Sequence, residues 1–235
     1  LNVLGKKNLA FIAHSNSFPA EWGKNTGFGT VNSTAAKHLI DFLSGVFTHI
    51  QLGPAGKTKS IDASPYTGTI FSNNPLFIDL EQLTTDEWHN ILSVETYNHI
   101  TENNPNKDTN RTAYSYIFNA QEEALKEAYN NFKNSSWAEA KADFENYKER
   151  NKFWLEKDSL YEALSVENGN DYWPMWKNEA DKRLFNPQNE EEKTQFADRI
   201  NEIKEKYADV IDFYSFCQYV ISVQNDKSRE YAQSK

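Results

Sequence analysis

Apolar and polar positions along the first fifty residues predict a strand, a helix and a second strand. The short apolar run "NLAFIAH" (Asn8–His14) is typical of a buried parallel strand. In "STAAKHLIDFLSG" (Ser33–Gly45) apolar residues recur at helical spacing, Ser33 or Thr34 can cap the start, and the last glycine can end the helix. "VFTHIQLGP" (Val46–Pro54) is the next predicted strand. The pattern therefore predicts a parallel β-α-β unit.

Two long polar segments follow the predicted strands. "SNSFPAEWGKNTGFGTVN" (Ser15–Asn32) comes after the first strand, and a segment from Gly53 to Pro75 comes after the second. The second segment closes in "LFIDL" (Leu76–Leu80), which we interpret as a third extended segment. Loops longer than about 12 to 15 residues in a compact domain are usually functional or disordered. Because ligands bind beyond the carboxyl ends of parallel strands, we expect a site there.

The second half of the chain is predicted to be helical. Apolar residues repeat at helical spacing over about eight turns from Ser136 to the stop signal "ENGN" (Glu167–Asn170). The connector before this half is "TENNPNKDTN" (Thr101–Asn110). The aromatic-rich residues 171–190 are predicted to be irregular. Further helices are predicted at Tyr116–Phe132, Glu191–Tyr207 and Asp212–Gln233.

Charge and cysteine content narrow the possible partners. A net charge of -9 over 235 residues argues against nucleic acid, which needs a concentrated basic face. The single cysteine, Cys217, excludes an internal disulfide and is predicted to be part of the core. A reducing compartment, the cytoplasm, is therefore the expected location. No segment approaches the ~18 consecutive apolar residues of a membrane span, so no membrane partner is expected.

Local motifs indicate the region of a site but do not identify its ligand or reaction. "TGFGTVN" (Thr26–Asn32) contains G-x-G before a helix, but it lacks the third glycine of a dinucleotide fingerprint, so a tight turn is the favoured interpretation. His14 and His49 could be ligands or bases, although no acidic partner at metal spacing accompanies them. Three carboxylates in the region are not distinguished from one another as catalytic candidates: Asp62, Asp79 and Glu81.

Residues 9–80 resemble the start of a 4-α-glucanotransferase (amylomaltase, disproportionating enzyme). The shared signposts, in order, are S-x-P, G-x-G, "DFL", "LGP-x-G", "SPY", "NP" and "IDL". Each motif is short, and the order and spacing of all seven give the resemblance its specificity. Residues 108–235 are similar to the family only in kind, as an acidic, aromatic-rich helical region.

The resemblance implies an α/β fold, a partial (β/α)8 TIM barrel with a large helical insertion subdomain. The chain would supply the first two to three parallel strands of that barrel. Residues 1–100 would form the N-terminal part of the barrel, 101–210 the helical insertion, and 211–235 a helix that returns to the barrel.

The resemblance also implies roles for residues of the second long loop. Its predicted glucan contacts are Ser64 and Tyr66. Its predicted supporting residues are Asn73, Asn74, Pro75 and Asp79. An aromatic ring such as that of Tyr66 packs on the apolar face of a sugar while its hydroxyl can bond a sugar hydroxyl. The family usually has Asp directly before S-P-Y, whereas this chain has Ala63 there and Asp62 one place earlier, so we expect a changed acceptor side.

The implied function is that of a retaining enzyme that transfers α-1,4-glucan segments between maltooligosaccharides without a cofactor. In the family the nucleophilic Asp, the acid/base Glu and a second Asp lie on later barrel strands, so no catalytic residue is assigned within 1–235. The expected partners are α-1,4-glucans and the C-terminal remainder of the barrel. Two alternatives stay open: a non-catalytic glucan-binding protein and a helical interaction module.

Overall fold

The computed structural model describes residues 5–59, 62–66, 70–109 and 111–235. Within them, β1 (Ala10–Ala13) and β2 (His49–Leu52) form a two-stranded parallel sheet, with Ala10 opposite His49 and Ala13 opposite Leu52. Both predicted strands and their parallel pairing are confirmed. Parts of two predicted segments lie outside the described residues. They include Ile61 and residues 67–69 of the second long segment, and Asn110 at the end of the predicted connector.

Helix α1 (Thr34–Ser44) connects the two strands as predicted. Of the two capping candidates, Ser33 is the N-cap, and its hydroxyl accepts a hydrogen bond from the Ala36 N–H at 3.1 Å. Gly45 follows the last helical residue. The buried face of the helix includes Ile40 and Leu43, which confirms the apolar period that predicted it.

The expectation that the first strand is buried is wrong for this chain. Alternate residues of β1 are exposed, and Ile12 exposes 70% of its surface. A parallel sheet is buried only where neighbouring strands and covering helices enclose both faces, and two strands of four residues cannot provide that enclosure. Apolar side chains on the sheet and on α1 consequently face solvent, among them Ile12, Phe42 and Leu52.

The third extended segment predicted at "LFIDL" is also wrong. Pro75–Phe77 form a 3-10 turn and α2 (Leu80–Leu83) follows it. Asn74 caps the turn by accepting from the Leu76 N–H, and Asp79 caps α2 by accepting from the Glu81 N–H. These two caps, each followed by a turn, divert an apolar segment of strand-like composition into short helical pieces.

The predicted helices in the rest of the chain are confirmed. Gly169, at a φ of +68°, ends the longest of them at the predicted stop signal. A helix that the sequence pattern did not predict covers the start of the predicted connector, and residues 171–189 are irregular apart from the turn Trp173–Met175. The helices are α3 (Val94–Asn103), α4 (Tyr114–Asn134), α5 (Ala138–Asn168), α6 (Glu190–Lys206) and α7 (Ala208–Gln233).

The chain divides into two compact units. The first comprises residues 1–138 and 218–235, and the second comprises residues 139–217. The core of the second unit is built from Leu160, Ala163, Leu164, Trp176, Leu184, Phe196 and Ile203. Within the described residues, none of the helices combines the length and the apolar character that crossing a bilayer requires.

Gly29 provides a test of the backbone packing in the first long loop. A Cβ at Gly29 would lie 2.3 Å from the Phe18 carbonyl oxygen and 2.6 Å from the Asn16 carbonyl oxygen. Because both obstacles are backbone atoms, we expect Gly29→Ala to lower the free energy of unfolding by about 2 to 3 kcal/mol. Urea denaturation followed by circular dichroism measures the change.

Gly45→Ala is the matched control. Gly45 has a φ of -68°, and a Cβ there would meet only the Phe42 carbonyl oxygen, at an ordinary 3.7 Å. We expect a change within about 0.5 kcal/mol. Equal effects of the two substitutions would show that the close approach around Gly29 is absent in solution.

Candidate functional site

The two long loops leave the same edge of the sheet. Because β1 and β2 are parallel, their carboxyl ends lie side by side, and the Gly53 N–H donates to the Ala13 carbonyl oxygen at 3.2 Å. The His14 imidazole packs against Gly53 so closely that a Cβ there would lie 2.3 Å from its Nδ1. His14 therefore lies where the loops emerge, whereas His49 begins β2 and its Nδ1 contacts the Thr48 hydroxyl at 2.9 Å.

The G-x-G motif forms a tight backbone approach, as its favoured interpretation predicts. Gly27 has a φ of +103°, and its carbonyl oxygen accepts from the Ala113 N–H at 2.8 Å. A Cβ at Gly27 would lie 3.0 Å from the Ala113 Cβ. Glycine at this position lets the first loop pack directly against the residue that precedes α4.

The segment with the predicted glucan contacts begins in a side-chain-supported turn. The Asp62 carboxylate accepts from the Ser64 N–H at 2.9 Å, and residues Lys59 and Asp62 form an antiparallel bridge. Ser64 is half-buried, whereas Tyr66 exposes 77% of its surface. Asp62 thus fixes the backbone at Ser64 from one place earlier in the chain than the family's usual Asp.

Asn74 joins the beginning of this loop to its end. Its N–H donates to the Ala55 carbonyl oxygen at 2.7 Å, and its side-chain amide donates to the Thr58 hydroxyl at 2.9 Å. The Tyr114 hydroxyl of α4 donates to the Lys59 carbonyl oxygen at 2.6 Å. Asn74 is 2% exposed, so its own bonds are shielded from water, and together the three bonds hold the loop base in one arrangement.

Four buried side-chain amides hold the end of the loop, residues 73–79, and we call them the amide clamp. Its members are Asn32, Gln121, Gln218 and Gln224, each no more than 2% exposed. Gln218 of α7 accepts from the Asn73 N–H at 2.8 Å and donates to the Asn73 carbonyl oxygen at 2.9 Å. The side chain therefore satisfies both backbone groups of one residue, as a neighbouring strand would.

Gln224 repeats that arrangement at the other end of the segment. It accepts from the Asp79 N–H at 2.8 Å and donates to the Asp79 carbonyl oxygen at 3.1 Å. Between the two ends, Gln121 of α4 donates to the carbonyl oxygens of Pro75 and Ile78 at 3.1 and 2.9 Å. Asn32, on the first long loop, donates to the Phe77 carbonyl oxygen at 3.0 Å.

The structure thus brings Asn73 and Asp79 into the clamp and Asn74 into the loop base. Pro75 occupies the first position of the 3-10 turn. The role of these residues in supporting a glucan contact at Ser64 and Tyr66 stays a prediction.

The candidate carboxylates have structural partners. Asp62 supports the turn at Ser64, and Glu81 forms an ion pair with Lys24 at 2.6 Å. Asp79 is buried, and this burial raises the pKa of its carboxyl to about 6, although bonds from Gln82 and from the Glu81 N–H favour the charged form. The described residues contain no group of three or more His, Cys, Asp or Glu side chains arranged to hold a metal ion.

The clamp glutamines were not predicted from the sequence because no local motif marks them. The partners of Gln218 and Gln224 lie 145 residues away in the chain, and those of Gln121 lie 46 and 43 residues away. One signal was available: Gln218 and Gln224 are amide residues within a largely apolar run of α7. A polar residue on a buried helix face needs a hydrogen-bonding partner.

Comparison with known proteins identifies the family. The 4-alpha-glucanotransferase family profile matches residues 14–235. The chain therefore belongs to the 4-alpha-glucanotransferase family, as the sequence resemblance predicted.

Characterised relatives are longer than this chain. A 4-alpha-glucanotransferase from Clostridium butyricum is 29% identical over 94% of this chain and 40% of the relative. A chloroplastic/amyloplastic 4-alpha-glucanotransferase from Solanum tuberosum is 27% identical over 98% of this chain and 36% of the relative. The chain thus spans about two fifths of the length of the relatives that it matches.

A solved structure shares the fold. The amylomaltase from Streptococcus agalactiae in complex with acarbose superposes with a TM-score of 0.77 and 21% identity. The match covers 97% of this chain and 41% of that structure. The similarity supports a fold like that of amylomaltase.

Gln224→Met tests the amide clamp. Methionine keeps the side-chain length but leaves the N–H and carbonyl groups of Asp79 buried without their partners. We expect the free energy of unfolding to fall by about 2 to 4 kcal/mol, measured by urea denaturation. Gln233→Met, at an exposed position of the same helix, should change it by less than about 0.5 kcal/mol. Equal values for both variants would rule out the clamp.

The burial of the Asp79 carboxyl should make the stability of the chain depend on pH. Its pKa in the folded state, about 6, lies above the ordinary value of 3.8, so the folded state binds the proton more tightly than the unfolded state. Its contribution therefore favours folding below pH 4 and is lost as the pH rises through 6, by up to about 3 kcal/mol in total.

The measurement is urea denaturation of the unmodified chain and of Asp79→Asn at pH 4 and pH 7. The difference in free energy of unfolding between the two proteins isolates Asp79 from other titrating groups. It should shift in favour of Asp79→Asn as the pH rises. A difference that is constant with pH would contradict the burial of this carboxyl.

Proposed function

We propose that the chain is the N-terminal portion of a retaining 4-α-glucanotransferase that transfers α-1,4-glucan segments between maltooligosaccharides. The observation that carries the proposal is the family match over residues 14–235, which includes the S-P-Y loop on its clamped base. The S. agalactiae amylomaltase was solved with acarbose bound, which supports a saccharide ligand for this fold.

The exposed sheet supports the proposed remainder of a β/α barrel as a partner. Each strand of the described two-stranded sheet has one edge without a strand beside it, and Ile12 and Leu52 expose apolar side chains. In a closed barrel, further parallel strands would pair with those edges and cover these residues. We assign residues 101–210 to the helical insertion and 211–235 to the returning helix, as the sequence predicted.

The proposed acceptor contacts are Ser64 and Tyr66. The ring of Tyr66 is available for stacking because it is largely exposed, while Asp62 fixes the backbone two residues before it. The clamp holds the following segment and so limits the positions that the loop can take. A substrate-contacting loop gains affinity from such restriction because less freedom is lost on binding.

The catalytic carboxylates are proposed to lie on later barrel strands outside residues 1–235. The nucleophile would form a glycosyl-enzyme, and the 4-hydroxyl of a second glucan would replace water as the acceptor. The loop would position that acceptor. The absence of a cofactor and a cytoplasmic location remain predictions.

Incubation with maltotriose tests the proposal. The 235-residue chain alone should leave maltotriose unchanged, because the proposed carboxylates lie elsewhere. A complete polypeptide that continues through the remaining strands should produce a ladder of shorter and longer maltooligosaccharides, resolved by chromatography. A ladder from the pure chain would contradict the placement of the catalytic groups, and no ladder from the complete polypeptide would favour a non-catalytic glucan-binding protein.

Tyr66→Ala in the complete polypeptide tests the proposed acceptor contact. Loss of one aromatic stacking partner should lower kcat/KM for maltotriose by about tenfold or more, since such contacts contribute on the order of 1 kcal/mol and the area loss adds to it. Phe153→Ala removes an aromatic side chain of similar exposure in the second unit and should leave transfer unchanged. Equal activity of both variants would contradict a role of Tyr66 in binding the acceptor.

A further inference from the structure

A second concave site lies wholly within the second compact unit. It is a cavity of about 420 Å³ between α5 and the irregular segment 171–189, a volume typical of small-ligand sites. No sequence motif pointed to it. Its lining includes Lys157, Tyr161, Trp173, Trp176, Phe185 and Asn186.

Aromatic side chains dominate the walls of the cavity. Trp173 and Phe185 are each 50% exposed, so their rings are accessible from solvent. Tyr161 and Trp176 lie deeper, with their ring centroids 5.5 Å apart. Half-exposed aromatic rings beside a cavity provide flat apolar faces on which a sugar ring can stack.

Hydrogen bonds fix the floor of the cavity. The Trp176 indole N–H donates to the Asn170 carbonyl oxygen at 2.9 Å, and the Tyr161 hydroxyl donates to the Asp171 carbonyl oxygen. Asp181, 5% exposed, is held by Arg199 at 2.9 Å. The floor is therefore preorganised although the segment above it is irregular.

Three of the four charged side chains that line the cavity, those of Asp181, Lys182 and Arg183, already have oppositely charged partners. Lys182 pairs with Glu179 at 2.7 Å. Arg183 pairs with Glu192 at 2.5 Å, and the Lys157 ammonium lies 5.5 Å from the Phe185 ring centroid. A charged ligand would have to displace these partners, so an uncharged ligand fits the site better.

Neutral hydrogen-bonding groups remain for such a ligand. Among the described residues, the Asn186 side-chain amide and the Trp173 indole N–H have no hydrogen-bond partner, and both residues line the cavity. Aromatic faces combined with free neutral donors and acceptors match a polyhydroxylated ring, which is apolar on its faces and polar at its edge.

We propose that this cavity, the helical-unit cavity, binds a segment of an α-1,4-glucan, with sugar rings against Trp173 and Phe185. The choice of glucan as the ligand rests on the proposed function. The helical-unit cavity would hold part of a long glucan separately from Ser64 and Tyr66, which lie in the first unit.

Titration of the full 235-residue chain with maltoheptaose tests this proposal. The chain carries Tyr66→Ala, which removes the proposed acceptor contact, and binding is followed by calorimetry. We expect saturable binding, weakened about tenfold or more by Trp173→Ala or by Phe185→Ala. Tyr172→Ala is the control, because Tyr172 is 57% exposed, neighbours Trp173 and does not line the cavity. Circular dichroism verifies that each variant keeps its helical content.

Three results would overturn the inference. They are an absence of maltoheptaose binding in the folded chain, binding that Trp173→Ala and Phe185→Ala leave unchanged, and equal weakening by Tyr172→Ala. The maltotriose assay of the complete polypeptide distinguishes this failure from failure of the proposed function. If the complete polypeptide transfers glucan but the helical-unit cavity binds none, only the proposal of a glucan site in the cavity is wrong. If the cavity binds maltoheptaose but no maltooligosaccharide ladder forms, only the proposed transferase function is wrong.

Discussion

The amide clamp is the constraint on which the end of the S-P-Y loop depends. Residues 73–79 are largely buried but belong to no sheet, so their backbone groups need partners other than a neighbouring strand. Gln218 and Gln224 provide them in reciprocal pairs, and Gln121 and Asn32 bind carbonyl oxygens between those pairs. The clamp thus gives an irregular segment the hydrogen bonding of regular structure, and the S-P-Y loop is anchored to that segment.

The sequence pattern correctly predicted the elements that are determined by interactions between residues close together in the chain. The helix at Thr34–Ser44 was visible in its apolar period and its serine cap, and the long helix Ala138–Asn168 was visible in its period and terminal glycine. "LFIDL" was mispredicted because capping by Asn74 and Asp79 and amides from distant helices outweigh its strand-like composition. Contacts 145 residues apart in the chain leave no periodic signal in either segment.

The geometry of the candidate region was predictable, whereas its chemistry was not. Two long segments after two parallel strands were expected at one edge of the sheet, and the parallel pairing confirms that both segments leave that edge. The prediction of glucan contacts at Ser64 and Tyr66 came from family resemblance, because a serine and a tyrosine two residues apart carry no distinctive spacing. The helical-unit cavity was unpredictable for another reason: Trp173 and Phe185 lie in an irregular segment, where no periodicity reveals which side chains share a surface.

Hydrogen exchange of the backbone amides of Asn73 and Asp79 tests most directly whether the amide clamp holds residues 73–79. Both N–H groups bond to buried glutamine side chains, so exchange should require opening of the packed unit. Both amides should exchange as slowly as those of α7 near Gln218 and Gln224. Exchange as fast as that of an unprotected amide would contradict this role of the clamp.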